Sequence, residues 1–325
     1  MSVAILGAGS IGSVIGGLLA LNGEEVVFIC RKAHADAINK RGLLIKGEKT
    51  FRAEVKASTD PKEMQGKNWV FLCTKTYDTE ESSQLLKKYC TGNIVSLQNG
   101  VRNHEIIQRI TKRKCFCGIV SFNGRYDKPG EVTLVYKGDI VIGDPFSKRE
   151  KELLELQSLL RKIFPTRIER NIVSCLWGKL LFNLINPVSA ITGFGYFEGL
   201  QNQAFRMCSK IVIEEGREIL NRAGIKFKYC SPSMHIFTWL LYAPSSLIRF
   251  LLRLKKWDIQ PSTLQDLRTG KKTEVPYING EIVKLSIKTG VSGKLNSKLL
   301  GFCLNFKGFI TPEELYKKLL KVSEE

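Results

Sequence analysis

A polar face on an otherwise apolar helix is the first feature of this sequence that could do chemistry. Residues 177–187 read WGKLLFNLINP, and an α-helix turns by about 100° per residue. Asn183 is then displaced by about 40° from Lys179, and Asn186 by about 20° the other way. A single lysine on such a helix would extend its ammonium group to solvent. One ammonium and two amides in line need partners, and a polar ligand is a better partner than water.

A glycine-rich turn near the start of the chain has the pattern that binds the phosphates of a dinucleotide. Residues 7–12 read GAGSIG, directly after an apolar run and at the start of a helical pattern. Gly7 permits the tight turn, Gly9 lets the backbone approach a pyrophosphate, and Gly12 lets helix and strand pack closely. The predicted cofactor-binding residues of this glycine turn are Gly7, Ala8, Gly9, Ser10, Ile11 and Gly12. The alternative is a glycine-rich turn without a ligand.

The residues after the second predicted strand distinguish between the two nicotinamide dinucleotides. An NAD site places Asp or Glu there to bind the ribose 2′-hydroxyl group. This chain has Arg31 and Lys32 instead, and a planar guanidinium suits a 2′-phosphate by charge and by geometry. The pair therefore favours NADPH over NADH, and an exposed basic pair without a ligand is the alternative.

Polar residues follow two further predicted strands. Thr74 and Lys75 come after NWVFLC, and Gln98, Asn99 and Gly100 come after IVSL. In doubly wound sheets the ligand binds at the carboxyl ends of the strands. Each group alone is more often a helix cap or a turn, but with the glycine turn they are expected to line one crevice.

A third polar group lies nearer the end of the chain, where residues 262–266 read STLQD and residues 272–280 read KTEVPYING. Thr273 or a neighbour could cap a helix with Glu274 in its first turn, where a negative charge is favourable. That structural role would explain these residues without any ligand.

These candidates need a scaffold, and the pattern of the chain indicates one. The predicted strands are residues 3–6, 25–30, 68–74, 93–97, 117–121, 132–136, 140–143 and 165–168. The predicted helices are residues 11–21, 78–89, 103–110, 148–163, 173–185, 203–223 and 274–289. Early alternation of strands and helices is typical of a parallel sheet with helices on both faces. The sequence therefore predicts an α/β protein, with a Rossmann-type doubly wound sheet that binds NADP in residues 1–168 and an all-helical substrate and catalytic domain in residues 169–325.

Charge and cysteine content restrict the classes of function. The chain has 50 Lys+Arg against 31 Asp+Glu, a net charge of +19, which suits an anionic partner. The basic residues lie in short scattered clusters such as Lys255-Lys256, and no nucleic-acid-binding motif accompanies them, so no nucleic acid partner is expected. Nine scattered cysteines without a CxxC pair indicate reduced thiols in a cytoplasmic protein and no metal site.

One apolar stretch, residues 236–254, approaches the length of a membrane span. Pro244, Ser245, Ser246 and Arg249 interrupt it, and it lacks the required run of about twenty apolar residues. We interpret it as two packed helices that meet at the Pro-Ser-Ser turn, and no membrane partner is expected.

Taken in order, these motifs resemble those of the ketopantoate reductases. The matching blocks are GAGSIG at 7–12, TK at 74–75, QNG at 98–100, WGKLLFN…INP at 177–187 and STLQDL…KKTEVPYING at 262–280. The similarity spans nearly the whole chain, and the last two blocks are specific to that family. The resemblance implies reduction of 2-dehydropantoate by NADPH to pantoate, for coenzyme A synthesis. A small-molecule keto acid is thus the expected partner, and a homodimer is compatible with the sequence.

The resemblance also implies roles for individual residues. Lys179 falls on the catalytic lysine and Glu274 on its partner glutamate. The cofactor-site residues that it implies are Arg31 for the 2′-phosphate and Lys75 and Asn99 on the nicotinamide side. The substrate-binding residues that it implies are Lys179, Asn183, Asn186 and Ser262. Hydride transfer to a carbonyl leaves negative charge on its oxygen, which a protonated lysine can stabilise and protonate.

Two departures from the family pattern keep other functions open. The family has one more residue between the two asparagines of the lysine helix, and it often has an asparagine where this chain has Ile259. One alternative is therefore a paralogous reductase of another branched 2-keto acid, because fold and cofactor site do not fix the substrate. Another is a non-enzymatic NADPH-binding regulator, which would retain the glycine turn without Lys179 and Glu274.

Overall fold

The computed structural model describes residues 1–146, 149–252 and 259–324. It divides the chain into two compact units, Met1–Val173 and Ser174–Glu325. Lys148, the Lys255-Lys256 pair and the last two residues of the 236–254 segment lie outside the described residues. The assignment of cofactor binding to residues 1–168 and of catalysis to residues 169–325 stays a prediction.

The first unit contains two sheets and the helices that cover them. Its strands are β1 (Ser2–Leu6), β2 (Glu25–Ile29), β3 (Leu43–Lys46), β4 (Phe51–Ala53), β5 (Lys56–Ser58), β6 (Trp69–Leu72), β7 (Asn93–Ser96), β8 (Cys115–Val120), β9 (Asn123–Lys128), β10 (Glu131–Tyr136), β11 (Ile140–Gly143) and β12 (Thr166–Ile168). Its helices are α1 (Ser10–Leu21), α2 (Lys32–Arg41), α3 (Thr79–Tyr89), α4 (Asn103–Thr111) and α5 (Glu150–Arg161), and α6 (Ile172–Asn183) begins at its end.

The larger sheet has eight strands in the order β12-β11-β8-β7-β6-β1-β2-β5. Neighbouring strands pair in parallel except for β8 and β11. Its central strands are almost continuously apolar and buried, as expected of a parallel sheet with both faces covered. The strand order reverses at β1, and the glycine turn follows the carboxyl end of that strand, where doubly wound folds bind their ligands. The predicted fold class is confirmed.

A second sheet was not predicted. Its four strands lie in the order β4-β3-β10-β9, so the segment predicted as a strand at 132–136 belongs to this sheet and not to the larger one. β4 has only three residues, and two of them are exposed. β9 reads NGRYDK, which lacks the apolar alternation that indicates a strand. Pairing between distant segments forms this sheet, and local pattern does not reveal it.

The second unit is built from helices, and its described residues contain no strand. After α6 come α7 (Asn186–Thr192), α8 (Tyr196–Gln201), α9 (Gln203–Arg222), α10 (Pro232–Leu240), α11 (Ser245–Leu252), α12 (Ser262–Arg268), α13 (Asn279–Thr289), α14 (Lys294–Leu304) and α15 (Pro312–Glu324). The predicted helix 274–289 is wrong at its start, because a 3₁₀ turn at Val275–Tyr277 precedes α13. The predicted helix 173–185 ends two residues early, at Asn183.

Two helices account for the described part of the 236–254 segment, because α10 and α11 flank Pro244. A different stretch, Ile172–Thr192, is long and apolar enough by composition to cross a bilayer, with a mean hydropathy of 1.2. That stretch comprises α6 and α7, and 83% of its 18-residue apolar window is buried inside the protein. Burial within a folded core explains the same composition.

One pair of cysteines departs from the expectation of reduced thiols. Cys175 in α6 and Cys230 form a disulfide, with 5.6 Å between their Cα atoms. The other seven cysteines are free, and five of them are buried. The expectation is therefore wrong for this pair, which 55 residues separate in sequence.

Candidate functional site

The glycine turn requires glycine at two of its three positions because of the chain's own packing. Gly7 has a φ of +97°, and a Cβ atom on it would lie 2.7 Å from the Thr74 backbone nitrogen. A Cβ atom on Gly12 would lie 2.3 Å from the Gly7 carbonyl oxygen. Side chains at these two positions would force the backbone apart.

Gly9 is different, because the folded chain leaves room for a side chain there. Its backbone is extended, with φ −74° and ψ −160°, and a Cβ atom on it would meet no described atom within 4 Å. Gly9 precedes α1, whose N-terminus has no side-chain cap among the described residues. Open N–H groups beside an empty space suit a pyrophosphate. The residues present therefore fit the phosphates of a dinucleotide.

A buried hydrogen-bond relay fixes the glycine turn. Burial lowers the pKa of His34 to about 4, so its ring is neutral. The Gly130 N–H donates to His34 Nδ1 at 2.9 Å, which leaves the proton on Nε2, 3.2 Å from Ser13 Oγ. The Ser13 hydroxyl donates to the Ala8 carbonyl at 3.0 Å. Sequence reasoning missed Ser13 and His34, and the one available signal was a histidine shortly after Arg31.

The predicted basic pair separates into two different environments. Arg31 is the residue before α2, two positions after the end of β2, and it is exposed. The Lys32 ammonium pairs with Asp36 at 3.0 Å. Within the part of the chain that the structure describes, the Arg31 guanidinium makes no ion pair. Arg31 is therefore the better candidate for a 2′-phosphate.

Side-chain hydrogen bonds join the segments that follow β6 and β7. Gln98 Nε2 donates to the Thr74 carbonyl at 3.2 Å, and the Thr76 hydroxyl donates to the Asn99 carbonyl at 2.6 Å. Since the glycine turn also packs on Thr74, the structure brings Lys75 and Asn99 to the same edge of the sheet as that turn. Both residues are partly buried.

Lys179 lies in the last part of α6 and is partly buried. Burial lowers the pKa of its ammonium group to about 8, although the Glu274 carboxylate acts in the opposite direction. Glu274 is only 4% exposed and precedes the 3₁₀ turn. The structure thus brings the two predicted catalytic residues within electrostatic reach. An ammonium with a pKa of about 8 is a much stronger acid than an ordinary lysine.

The other predicted substrate-binding residues lie on three helices of the second unit. Asn183 ends α6 and is buried, and Ser262 begins α12 and is partly buried. Asn186 begins α7, and its side-chain carbonyl accepts a hydrogen bond from the Tyr196 hydroxyl. The single-helix geometry predicted for Asn186 is therefore wrong, and the same-face argument holds only for Lys179 and Asn183.

Sequence reasoning also missed a buried polar network in the second unit. The Glu215 carboxylate accepts hydrogen bonds from the Asn296 backbone at 2.8 Å and from its side chain at 2.7 Å. The Asn279 amide donates to Asn296 Oδ1 at 2.9 Å and to the Leu184 carbonyl at 3.3 Å. Both asparagines are fully buried, so removal of a partner from either would cost stability.

This network links the segments that follow the two predicted catalytic residues. Asn279 follows Glu274 by five residues, and Leu184 follows Lys179 by five. The hydrogen bond between them therefore links the start of α13 to the end of α6. Asn279 lies in the PYING motif at residues 276–280. That motif was the signal in the sequence that could have indicated its role.

Known proteins resemble this chain over most of its length. Residues 3–145 match the family described as ketopantoate reductase PanE/ApbA, and residues 171–303 match the C-terminal part of that family. The 2-dehydropantoate 2-reductase of Pyrococcus abyssi is 32% identical over 304 residues, which cover 93% of this chain and 96% of the relative.

Solved structures share the fold. The PanE/ApbA family ketopantoate reductase from Ralstonia eutropha JMP134 has a TM-score of 0.79 at 26% identity, covering 98% of this chain and 100% of that one. A D-mandelate dehydrogenase with NADH and anilino(oxo)acetate has a TM-score of 0.80 at 20% identity, with 98% and 100% coverage. At 20% identity, the similarity to the dehydrogenase concerns the fold alone. The matches over both parts of the chain show that it belongs to the ketopantoate reductase family.

Proposed function

We propose that this protein reduces 2-dehydropantoate to (R)-pantoate with NADPH, in coenzyme A biosynthesis, and that Lys179 is the general acid. The observation that carries the proposal is the partly buried lysine of lowered pKa within electrostatic reach of Glu274. The names of relatives such as the Pyrococcus abyssi 2-dehydropantoate 2-reductase support the substrate. The exposed Arg31, which follows β2, supports NADPH as the cofactor.

Residues of the first unit would bind the cofactor. NADPH, when bound, supplies the hydride for the 2-keto carbon. The glycine turn and the N–H groups of α1 would hold its pyrophosphate. Arg31 would pair with the 2′-phosphate, and Lys75 and Asn99 would contact the nicotinamide side.

Residues of the second unit would bind and protonate the keto acid. The Lys179 ammonium stabilises the negative charge that develops on the carbonyl oxygen and transfers its Nζ proton to that oxygen. Glu274 holds the ammonium in place or accepts a hydrogen bond from the substrate hydroxyl group. The neutral side chains of Asn183, Asn186 and Ser262 bind carboxylate and hydroxyl groups. For Asn186 the amide N–H₂ is the group for this task, since Tyr196 uses its carbonyl oxygen.

The first test is the loss of NADPH absorbance on addition of 2-dehydropantoate, with NADH and other 2-keto acids in parallel. Fast turnover of 2-dehydropantoate with NADPH alone is the expected result. Cofactor binding without turnover of any keto acid would overturn the proposal in favour of a regulator.

The pH dependence of the reaction tests the role of the lysine. We expect kcat for reduction to fall about tenfold per pH unit above about pH 8. The acid form of Lys179 is present below its pKa of about 8 and is lost as the pH rises through that value. Oxidation of the hydroxy acid needs the neutral amine and should rise over the same range. Rates at saturating substrate in both directions measure this, and two flat profiles would contradict the assignment.

The proposed role of Arg31 in binding the 2′-phosphate can be tested by comparison with Lys32. Arg31→Ala should weaken NADPH binding by about 10- to 100-fold, because a charge-assisted hydrogen bond contributes about 1.5–3 kcal/mol. Binding of NADH, which lacks the phosphate, should change little. Lys32→Ala is the matched control and should have a much smaller effect, since Lys32 pairs with Asp36. Equal losses for NADPH and NADH in a fluorescence titration would refute the 2′-phosphate assignment.

A second candidate function is the reduction of another branched 2-keto acid, and Ile259 favours it. Ile259 packs against a buried apolar cluster that includes Tyr196 and Phe237. An apolar contact at this position suits an apolar group better than a substrate hydroxyl. The test is kcat/KM for 2-dehydropantoate against 3,3-dimethyl-2-oxobutanoate, which lacks only the hydroxyl group. A preference for the latter that Ile259→Asn reverses would establish this second function.

A further inference from the structure

Residues 228–230, named here the clamp segment, lie directly on the helix that carries Lys179. Cys230 is bonded to Cys175 of α6, and the Lys228 N–H donates to the Ser174 carbonyl at 2.9 Å. A Cβ atom on Gly178 would lie 2.1 Å from the Lys228 carbonyl oxygen. The clamp segment therefore contacts α6 at three positions within little more than one helical turn, and it leaves no room for a side chain at residue 178.

The clamp segment has no regular secondary structure of its own. Two side chains hold its middle residue, Tyr229. His235 Nε2 lies 2.8 Å from the Tyr229 carbonyl oxygen, and Arg217 Nη2 donates to the Tyr229 hydroxyl at 3.3 Å. The disulfide is the covalent part of this anchorage, and it is the part that a change of redox state removes.

The contacts of the clamp segment lie immediately before Lys179 in sequence. Cys175 stands one helical turn before Lys179, and residues four apart share a face of a helix. Gly178 is the residue directly before it. A shift of the clamp segment would therefore move the backbone from which the Lys179 side chain projects.

We propose that the Cys175–Cys230 disulfide is a redox-controlled positioning device for Lys179: the oxidised pair fixes the geometry for proton donation, and the reduced pair relaxes it. This inference rests on the proposed function, in which Lys179 is the general acid. Cys175 and Cys230 are positioning residues in this role and do not touch the substrate.

The redox step is an exchange with a small disulfide such as glutathione disulfide. One protein thiolate attacks a sulfur of that disulfide and releases one glutathione thiol. The second protein thiolate then attacks the mixed disulfide and releases the other. The protein loses two electrons and two protons, and glutathione disulfide gains them as two thiols. Cys230 retains 5% exposure while Cys175 has none, so the exchange should begin at Cys230.

The experiment compares the full chain after equilibration with glutathione disulfide and with dithiothreitol, alongside Cys230→Ser. Two readouts are made on each sample, well below the unfolding temperature: kcat for 2-dehydropantoate and amide hydrogen exchange in residues 174–179. Cys303→Ser, which removes a free buried thiol of the same unit, is the matched control. The exchange readout needs no substrate.

We expect reduction, and equally Cys230→Ser, to lower kcat at least about threefold, because small displacements of a catalytic group have large effects on rate. The KM for NADPH should not change, and exchange in residues 174–179 should become faster. Cys303→Ser should retain the full redox response. The pH at which kcat falls should also move upward on reduction, as looser packing lets water reach the ammonium.

Two results would overturn the inference. One is unchanged hydrogen exchange on reduction, which would show that the disulfide does not hold α6. The other is faster exchange with an unchanged kcat and pH profile, which would make the disulfide merely structural. Absence of turnover in both redox states would instead refute the proposed function, and the exchange readout would still decide whether the clamp exists.

Discussion

Replacing Lys179 with methionine is expected to lower kcat for keto acid reduction by at least about 10³-fold. The variant loses the proton donor, which contributes about 10²- to 10⁴-fold in enzymes, and the positive charge beside the developing oxyanion, which contributes about 10²- to 10³-fold. Binding of NADPH should remain nearly intact, since its predicted contacts all lie in residues 1–168. Single-turnover kinetics with bound NADPH, together with a binding titration, measures both quantities.

The folding stability of Lys179→Met shows whether a loss of turnover comes from lost chemistry or from unfolding. Burial lowers the pKa of Lys179 from 10.5 to about 8, so the protonated lysine is less favourable in the folded chain than in the unfolded one. This cost is present below about pH 8 and disappears above the unfolded pKa. At neutral pH the methionine variant should therefore be at least as stable as the parent. Lys284→Met, which changes an exposed lysine of α13, is the control, and full turnover by Lys179→Met would remove the lysine from the mechanism.

Local signals in the sequence predicted those structural features of the candidate site that depend on neighbouring residues. The glycine turn was found because its requirements are confined to the junction of one strand and one helix. The wrong bounds of the predicted helices 173–185 and 274–289 could also have been recognised from local signals in the sequence. Pro187 has no N–H, and its ring would clash with the Asn183 carbonyl, where α6 indeed ends. Pro276 likewise lies within the 3₁₀ turn that precedes α13.

Long-range contacts account for what the sequence did not reveal. The Cys175–Cys230 disulfide joins residues 55 apart, and nine cysteines allow many pairings. The hydrogen bond from Gly130 to His34 spans 96 residues. In both cases the two groups meet only because the tertiary fold brings distant segments together, and no periodicity or spacing in the sequence predicts the contact. Such contacts fix the segments that carry the candidate residues, whereas the residues proposed to do chemistry stand in recognisable motifs.

Gly9 gives the sharpest test of the cofactor site, because the space for a side chain there is open in the folded chain. Gly9→Val should lower the unfolding temperature only slightly, by the weaker N-cap preference of valine, since a Cβ atom there meets no described atom within 4 Å and the backbone is extended. The affinity for NADPH should fall at least about 30-fold, which corresponds to about 2 kcal/mol, because the side chain would occupy the space that a pyrophosphate needs.

Gly12→Val is the matched control within the same turn. Its Cβ atom would lie 2.3 Å from the Gly7 carbonyl oxygen, so the chain itself must distort, and both stability and NADPH binding should be lost. Calorimetry and a fluorescence titration on the two variants separate the causes: glycine at residue 12 is needed by the protein, and glycine at residue 9 is needed by the ligand. If Gly9→Val bound NADPH as tightly as the parent, the phosphates would have to bind elsewhere, and the uncapped N-terminus of α1 would need another explanation.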